Sequence, residues 1–236
     1  DQLLPYGYLD LWVSTFHSFC ERVLRENALD IGLSTDFKLL DEAGQSLFIR
    51  RNFSRFNLDY YRPLGNPFRF IGSLVKHFSR AKDELVSPEE YLDYVKNLEL
   101  NKDSALSDEL VNDEIRKLKE VAGAYNIYQK LLEEEGALDF GDLINYTIKL
   151  FKERPAILKK YQNQFKYILV DEFQDTNLAQ YELLKILAKP KNNLTVVADD
   201  DQAVFLWRGA SYNNVFQFSK DYPTAKIVAL TKNYRS

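Results

Sequence analysis

Two adjacent carboxylates, Asp171 and Glu172, directly follow an apolar run in the stretch "YILVDEFQDTN", residues 167–177. Like charges at this distance repel each other, and burial of either carboxylate without a partner is costly. A divalent cation, hydrogen bonds from a turn, or exposure to water could compensate the pair. If a cation does so, Asp171 would hold magnesium, and Glu172 would orient an attacking water and accept its proton.

A second apolar run, "LTVVA" (194–198), also ends in acids, in the stretch "DDDQ" (199–202). Open parallel sheets bind ligands at the carboxyl ends of their strands, so two neighbouring strands would deliver these acids to one crevice. A simpler interpretation is also open, because Asp-rich turns are common and the first pair could merely open a loop. A helix cap is expected in either case, from Asp175, Thr176 or Asn177.

The elements that would position these acids alternate between strand and helix. We predict strands at 11–15, 166–170, 194–198 and 226–231, and helices at 138–151, 178–188 and within 202–219. The pattern from 36 to 135 is helical throughout, with Pro88 opening one helix. This order predicts an α/β fold with a parallel sheet flanked by helices, interrupted by an all-α inserted domain at 36–135.

Composition excludes several classes of protein. No window approaches the roughly 18 uninterrupted apolar residues of a membrane helix, and the N-terminus has no basic start or apolar signal core. The single Cys20 excludes internal disulfides and is interpreted as a small buried helix residue. We therefore expect a cytoplasmic protein without a membrane partner.

The net charge of −4 conceals a basic, aromatic stretch at 48–82. Its eight bases stand beside one acid and eight Phe and Tyr residues; they are Arg50, Arg51, Arg55, Arg62, Arg69, Lys76, Arg80 and Lys82. Such bases can neutralise phosphates, giving nucleic-acid affinity that depends on salt and not on base sequence. Alternatively, the aromatic residues form a core and the bases a solvated face.

Five stretches, in chain order, resemble motifs of the UvrD/Rep-like superfamily 1 DNA helicases: "VSTFHSFCERVLR" (13–25), "ALDFGDLI" (137–144), "DEFQDTN" (171–177), "DDDQAVFLWRGAS" (199–211) and "LTKNYRS" (230–236). Five ordered matches are far more specific than any single match. The resemblance implies RecA-like motor segments at 1–35 and 136–236, while the middle matches only as a helical insertion of suitable length.

The resemblance also implies roles at a site for ATP and Mg²⁺. Asp171 is then the magnesium ligand and Glu172 the catalytic base. Gln202 would sense the γ-phosphate, Arg235 would neutralise its charge, and Tyr234 would stack on the adenine. Singly, Gln202 could instead cap a helix, and "NYR" could be an ordinary loop.

A DNA-binding role is implied for a second set of residues. Phe205, Trp207 and Arg208 combine aromatic faces, which stack on any unpaired base, with a neighbouring cation. Trp207 could instead belong to the core. Thr15 and His17 stand where the family contacts the DNA backbone, although Thr15 could also cap the following helix.

The chain departs from the family pattern at several points. No Gly-Lys pair occurs in the sequence, whereas an ATPase of this class needs a G-x-x-x-x-G-K-[ST] loop around the phosphates. The family has that loop upstream of "VSTFHSF" and a second RecA-like domain downstream, so we expect this chain to be an excerpt of a longer protein. Phe205 replaces the usual tyrosine, Gly141 an acid, and Ala198 a glycine.

Our leading hypothesis is therefore that the chain is part of a 3′–5′ DNA helicase and translocase. The parent protein would be bacterial-type and nucleoid-associated, and it would act in repair or replication. Its partners would be single-stranded DNA, single-strand/duplex junctions and a second RecA-like domain. Three alternatives remain: the motor of a helicase-nuclease, a nucleic-acid-binding module without catalysis, and a metal-dependent phosphoesterase built on Asp171, Glu172 and Asp199–Asp201.

We predict that the 236-residue chain alone does not hydrolyse ATP, because no Gly-Lys loop is present to hold the phosphates. A steady-state ATPase assay, with and without single-stranded DNA, measures this directly. Ordinary turnover by the purified chain would contradict the prediction.

Overall fold

The structure, a computed structural model, describes residues 11–101, 109–199, 212–230 and 232. Helices dominate these ranges, and four strands of three residues each are interspersed among them. In chain order the elements are α1 (Phe16–Asn27), β1 (Lys38–Leu40), α2 (Glu42–Arg51), α3 (Ile71–Asp83), α4 (Pro88–Leu100), α5 (Glu109–Glu134), β2 (Ala137–Asp139), α6 (Phe140–Glu153), α7 (Pro155–Gln164), β3 (Ile168–Val170), α8 (Leu178–Ala188), β4 (Leu194–Val196) and α9 (Tyr212–Asp221).

Local sequence signals determine where several helices begin. Ser87 caps α4 in a capping box with Glu90, and Pro88 takes the first helical position as predicted. The helix predicted at 178–188 is confirmed as α8 (Leu178–Ala188). None of the described helices is long and apolar enough to cross a membrane.

The strands form two separate parallel pairs. β1 pairs with β2, with Lys38 opposite Ala137, and β3 pairs with β4, with Ile168 opposite Leu194. The predicted α/β class is therefore confirmed. The two strands that are followed by acids, β3 and β4, are neighbours, as predicted. Within the described ranges, however, the four strands make two small sheets and not one continuous sheet.

Four local predictions are wrong. β1 lies in the range predicted to be helical throughout, and β2 occupies the first residues of the helix predicted from 138. These strands are too short to show alternation, and they are stabilised by pairing across about a hundred residues, which periodicity cannot reveal. Conversely, residues 11–15 and 226–230 are not strands, because no described strand pairs with either.

Two large apolar clusters underlie the helices. One contains Phe48, Phe78, Tyr125 and Tyr128, from α2, α3 and α5. The other joins α1, α6, α7 and α8 and includes Cys20. Burial raises the pKa of Cys20 to about 12, which confirms the expected inert, buried thiol.

The basic stretch at 48–82 was predicted either to bind phosphates or to form an aromatic core with a solvated basic face, and the structure supports parts of both. Four of its aromatic residues are buried in the helical core: Phe48, Phe53, Phe56 and Phe78. Seven of its eight bases are exposed. Two exposed bases already pair with acids, since Arg51 contacts Glu135 and Arg55 contacts Glu134 at 2.6 Å. The core interpretation thus holds for these aromatics, while exposed arginines remain available to a phosphate.

Lys82 is the exception, and its inclusion among the phosphate-binding candidates is wrong. Its side chain is 2% exposed, and its Nζ lies 2.6 Å from Asp139 Oδ2 and 2.8 Å from Asp142 Oδ1. Burial alone would lower the pKa of Lys82, but the two carboxylates raise it overall. Tyr128 Oη also donates to Asp139 Oδ2, at 3.0 Å. The cluster joins α3 and α5 to β2 and α6.

Gly141 gives this ion cluster its space. A Cβ at position 141 would lie 2.8 Å from Lys82 Cβ and 2.9 Å from its Cδ. The stem of Lys82 therefore fills the volume that a side chain at 141 would need. The acid that the family resemblance leads us to expect at position 141 would have to displace that stem.

We predict that Lys82→Met lowers the free energy of unfolding by about 3–5 kcal/mol, because Asp139 and Asp142 would remain buried without a cation. Equilibrium urea unfolding measures the change. The matched control is Lys96→Met, since Lys96 pairs with Asp93 at 2.9 Å in an exposed pair. That variant should change stability by less than about 1 kcal/mol, and equal losses in the two variants would contradict the prediction.

Candidate active site

The carboxylate pair lies at the carboxyl end of β3, outside the strand ladder. Val197 N–H donates to Val170 O at 2.8 Å, and Phe173 N–H donates to Val197 O at 2.9 Å. Because the residues on either side both bond to Val197, Asp171 and Glu172 lie outside the hydrogen bonds that join this segment to β4. Both are exposed to solvent.

Two of the three expected ways to offset the repulsion between Asp171 and Glu172 are present in the structure. Exposure to water screens the repulsion, and hydrogen bonds from the turn satisfy individual oxygens. Glu172 N–H donates to Asp171 Oδ1 at 3.0 Å, and Gln174 Nε2 donates to Glu172 Oε2 at 2.6 Å. The two carboxylates are therefore held by separate donors.

The third compensation, a cation, is chemically compatible with this geometry. The described residues contain no group of three His, Cys, Asp or Glu side chains that could hold a metal ion. Magnesium usually binds through only one or two carboxylates, keeps several waters and takes further oxygens from phosphates. Exposed carboxylates at a strand end suit such a hydrated ion, with Asp171 or Glu172 as ligand.

The turn after the pair is held by packing and by hydrogen bonds. Residues Phe173–Asp175 form a 3₁₀ helix, and Phe173 is fully buried against Val170, Tyr181 and Leu184. Thr176 Oγ1 donates to Phe173 O at 2.6 Å, and the buried Asn214 of α9 donates to Thr176 O at 2.9 Å. The carboxylates thus stand on a turn fixed from both sides.

Asn177 connects this turn to the helical core. It caps α8, with Gln180 N–H donating to its Oδ1 at 2.9 Å, which confirms the expected cap at one of its three candidate residues. Its Nδ2 also donates to Asp83 Oδ1 at 2.7 Å, at the end of α3 and directly after the buried Lys82. Burial, followed by the charge of Glu84, raises the pKa of Asp83 to about 6.

Thr15 and His17 flank a residue that packs beneath the site. Phe16 contacts the cluster of Val170 and Phe173, so the start of α1 lies beside the end of β3. Thr15 caps α1 by accepting from Ser18 N–H at 3.2 Å, as the simpler interpretation predicted. The His17 ring packs edge-on against Phe140 at 5.4 Å, and burial lowers the pKa of His17. Their DNA contact stays a prediction.

The other predicted site residues lie outside the described residues. They are Gln202, Phe205, Trp207, Arg208, Tyr234 and Arg235. The end of β4 that leads toward Gln202 is described as far as Asp199, whose N–H donates to Gln174 Oε1 at 3.1 Å. Asp171, Glu172 and the approach to Gln202 therefore lie on the same edge of the β3–β4 sheet.

Sequence reasoning missed three polar residues at this site: Asp83, Gln174 and Asn214. Gln174 lies inside the quoted motif "DEFQDTN", and a polar residue next to a buried aromatic one was an available signal. Asp83 and Asn214 gave no such signal, since their partners are 94 and 38 residues away in the sequence. Only the fold brings them to the turn.

A family model covers nearly the whole chain. Residues 5–223 match the model described as the UvrD/REP helicase N-terminal domain.

Similar curated relatives are named ATP-dependent DNA helicase PcrA. That of Bacillus subtilis is 41% identical over 236 residues, which is 100% of this chain and 29% of the relative. Those of Staphylococcus epidermidis and Leuconostoc citreum are 42% and 39% identical over 96% of this chain, covering 28% and 27% of the relatives. The chain thus spans less than a third of the length of these relatives.

We predict that Asp83→Asn raises the unfolding temperature at pH 8 and leaves it nearly unchanged at pH 4. An unfolded aspartate has a pKa of about 3.9, so the raised value near 6 means that ionisation opposes folding. From about pH 4 to pH 6 the folded chain binds more protons than the unfolded chain, and stability falls as pH rises. Asparagine keeps an oxygen for Asn177 and cannot ionise.

Thermal unfolding followed by circular dichroism across pH 4–8 measures this difference. The control is Glu153→Gln, which also removes one negative charge. Glu153 is exposed and lies at the end of α6. The prediction fails if Asp83→Asn is less stable than the parent at pH 8, or if both variants show the same pH dependence.

Proposed function

We propose that this chain, which belongs to the UvrD/REP helicase family, forms part of the first motor domain of an ATP-dependent DNA helicase and translocase. The parent protein would couple ATP hydrolysis to 3′–5′ movement on single-stranded DNA and to duplex unwinding in repair or replication. One observation supports this above the others: two exposed carboxylates stand on a hydrogen-bonded turn at the carboxyl end of β3, beside the end of β4.

In this proposal residues 1–35 and 136–236 contribute to a RecA-like motor domain, and residues 36–135 are an inserted helical domain. A second RecA-like domain would complete the nucleotide cleft. The parallel pairing of β3 with β4 and the helices packed beside them support this architecture. A protein that acts on bacterial chromosomal DNA would work in the cytoplasm, at the nucleoid.

Asp171 would hold Mg²⁺ together with ATP, as the chemistry of an exposed carboxylate at a strand end allows. When bound, magnesium supplies positive charge to the β- and γ-phosphates. Glu172 would orient the attacking water and accept its proton, for which its solvent exposure and its hydrogen bond from Gln174 are suitable. Gln202, Arg235 and Tyr234 would contact the γ-phosphate and the adenine.

DNA would cross the same edge of the molecule. Phe205 and Trp207 would stack on unpaired bases, and Arg208 would add a cation beside them. Thr15 and His17 would donate to backbone phosphates from the start of α1, which Phe16 places beside the site. Exposed bases of the helical domain, such as Arg50 and Arg69, would meet the duplex at a single-strand/duplex junction.

We predict that Glu172→Gln separates DNA binding from hydrolysis in the whole gene product. The variant should lose about 10²–10⁴-fold of the DNA-stimulated ATPase kcat, because the amide cannot accept the proton. Its affinity for single-stranded DNA should be unchanged. ATPase assays and fluorescence anisotropy with a labelled oligonucleotide measure the two properties.

Two further variants test the DNA side of the proposal. Trp207→Ala should weaken single-stranded DNA binding by about 1–3 kcal/mol, while the exposed Tyr94→Ala in α4 should not. A protein that binds DNA but has no ATPase for Glu172→Gln to remove would be a binding module. Metal-stimulated phosphoester hydrolysis without ATP would identify a phosphoesterase.

A further inference from the structure

Glu172 needs a side-chain support that packing does not give it. Its backbone has φ 51° and ψ 43°, in the left-handed region that non-glycine residues seldom adopt. Its side chain is exposed, so neighbouring atoms do not confine it. A carboxylate on an exposed, freely rotating side chain would sample several positions, whereas a general base must be held within reach of its water.

Gln174 supplies this support from inside the protein. The residue is 2% exposed, and its Nε2 donates to Glu172 Oε2 at 2.6 Å. Its Oε1 accepts from Asp199 N–H, at the end of β4, at 3.1 Å. A carboxylate can only accept and a backbone N–H can only donate, so one orientation of the amide satisfies both partners.

Neither an ionised glutamate nor a methionine, the side chains of similar size, can make both contacts. Glutamate would keep the acceptor for Asp199 but place a second carboxylate against Glu172, and methionine would offer neither group. The amide is itself held at a fixed place, because the preceding Phe173 is fully buried. Gln174 therefore sets the Glu172 carboxylate at a defined position relative to the end of β4.

We propose that Gln174 is the positioning residue for the general base, holding Glu172 against the end of β4 in readiness for the attacking water. This inference rests on the proposed function, in which Glu172 is that base. Gln174 touches neither nucleotide nor water in this role, and it acts only through Glu172.

The test uses the whole gene product with Gln174→Met and the isosteric Gln174→Glu. Both variants should lower the DNA-stimulated ATPase kcat about 10- to 100-fold, with the KM for ATP and the single-stranded DNA affinity unchanged. In Gln174→Glu the acidic limb of the pH–rate profile should also move to higher pH, because a second carboxylate favours protonation of its neighbour.

A readout independent of activity is hydrogen exchange without nucleotide. Gln174→Met removes the acceptor of Asp199 N–H, so exchange at that amide should become at least about tenfold faster. Gln217→Glu is the matched control, since exposed Gln217 donates to a carboxylate, Asp221 Oδ1, at 2.7 Å on α9. It should leave kcat, the pH profile and Asp199 exchange unchanged.

The outcomes separate this inference from the proposed function. If Glu172→Gln is inactive while both Gln174 variants keep full kcat, the positioning role is overturned and the proposed function stands. If Glu172→Gln itself retains ordinary turnover, both are overturned. Should Gln174→Met fail to fold, as judged by circular dichroism, Gln174→Glu decides through its kcat and its pH profile.

Discussion

The ion cluster around Lys82 is the interaction on which the arrangement of this chain depends. One buried ammonium lies between Asp139 and Asp142, and these three residues come from α3, β2 and α6. Charges taken out of water tolerate little displacement, because each depends on its partners to offset lost hydration. The cluster thus fixes the helical core, with Tyr128 contributing from α5, against the segment that leads toward the sheet.

The residue next to Lys82 in the chain, Asp83, connects this ion cluster to the candidate site. Asp83 follows Lys82 and accepts a hydrogen bond from Asn177, the cap of α8 that follows the carboxylate-bearing turn. A displacement of α3 would therefore disturb the turn below Asp171 and Glu172. If the helical domain contacts duplex DNA and Asp171 and Glu172 bind nucleotide, as proposed, the Asp83–Asn177 hydrogen bond connects the two sites directly.

Part of the site was readable from the sequence. Three local signals were present: the apolar run ending in Asp171 and Glu172, the second apolar run that ends in acids, and the Asn177 cap. The structure has β3, β4 and α8 at these places. The β1–β2 pair was not readable, since "KLL" and "ALD" do not lie in apolar runs like those that marked β3 and β4. Nor was the burial of Lys82, because a lysine in a basic stretch gives no sign of two distant carboxylates.

By itself, the sequence determined the family, the residue types at the strand ends and the starts of α4 and α8. These depend on neighbouring residues, whose spacing the chain displays directly. Tertiary structure alone decided which bases are exposed, which strands pair, and that Gln174 joins Glu172 to Asp199. Those outcomes require groups far apart in the chain to meet in one place, and hydrogen-bond geometry and burial exist only after folding.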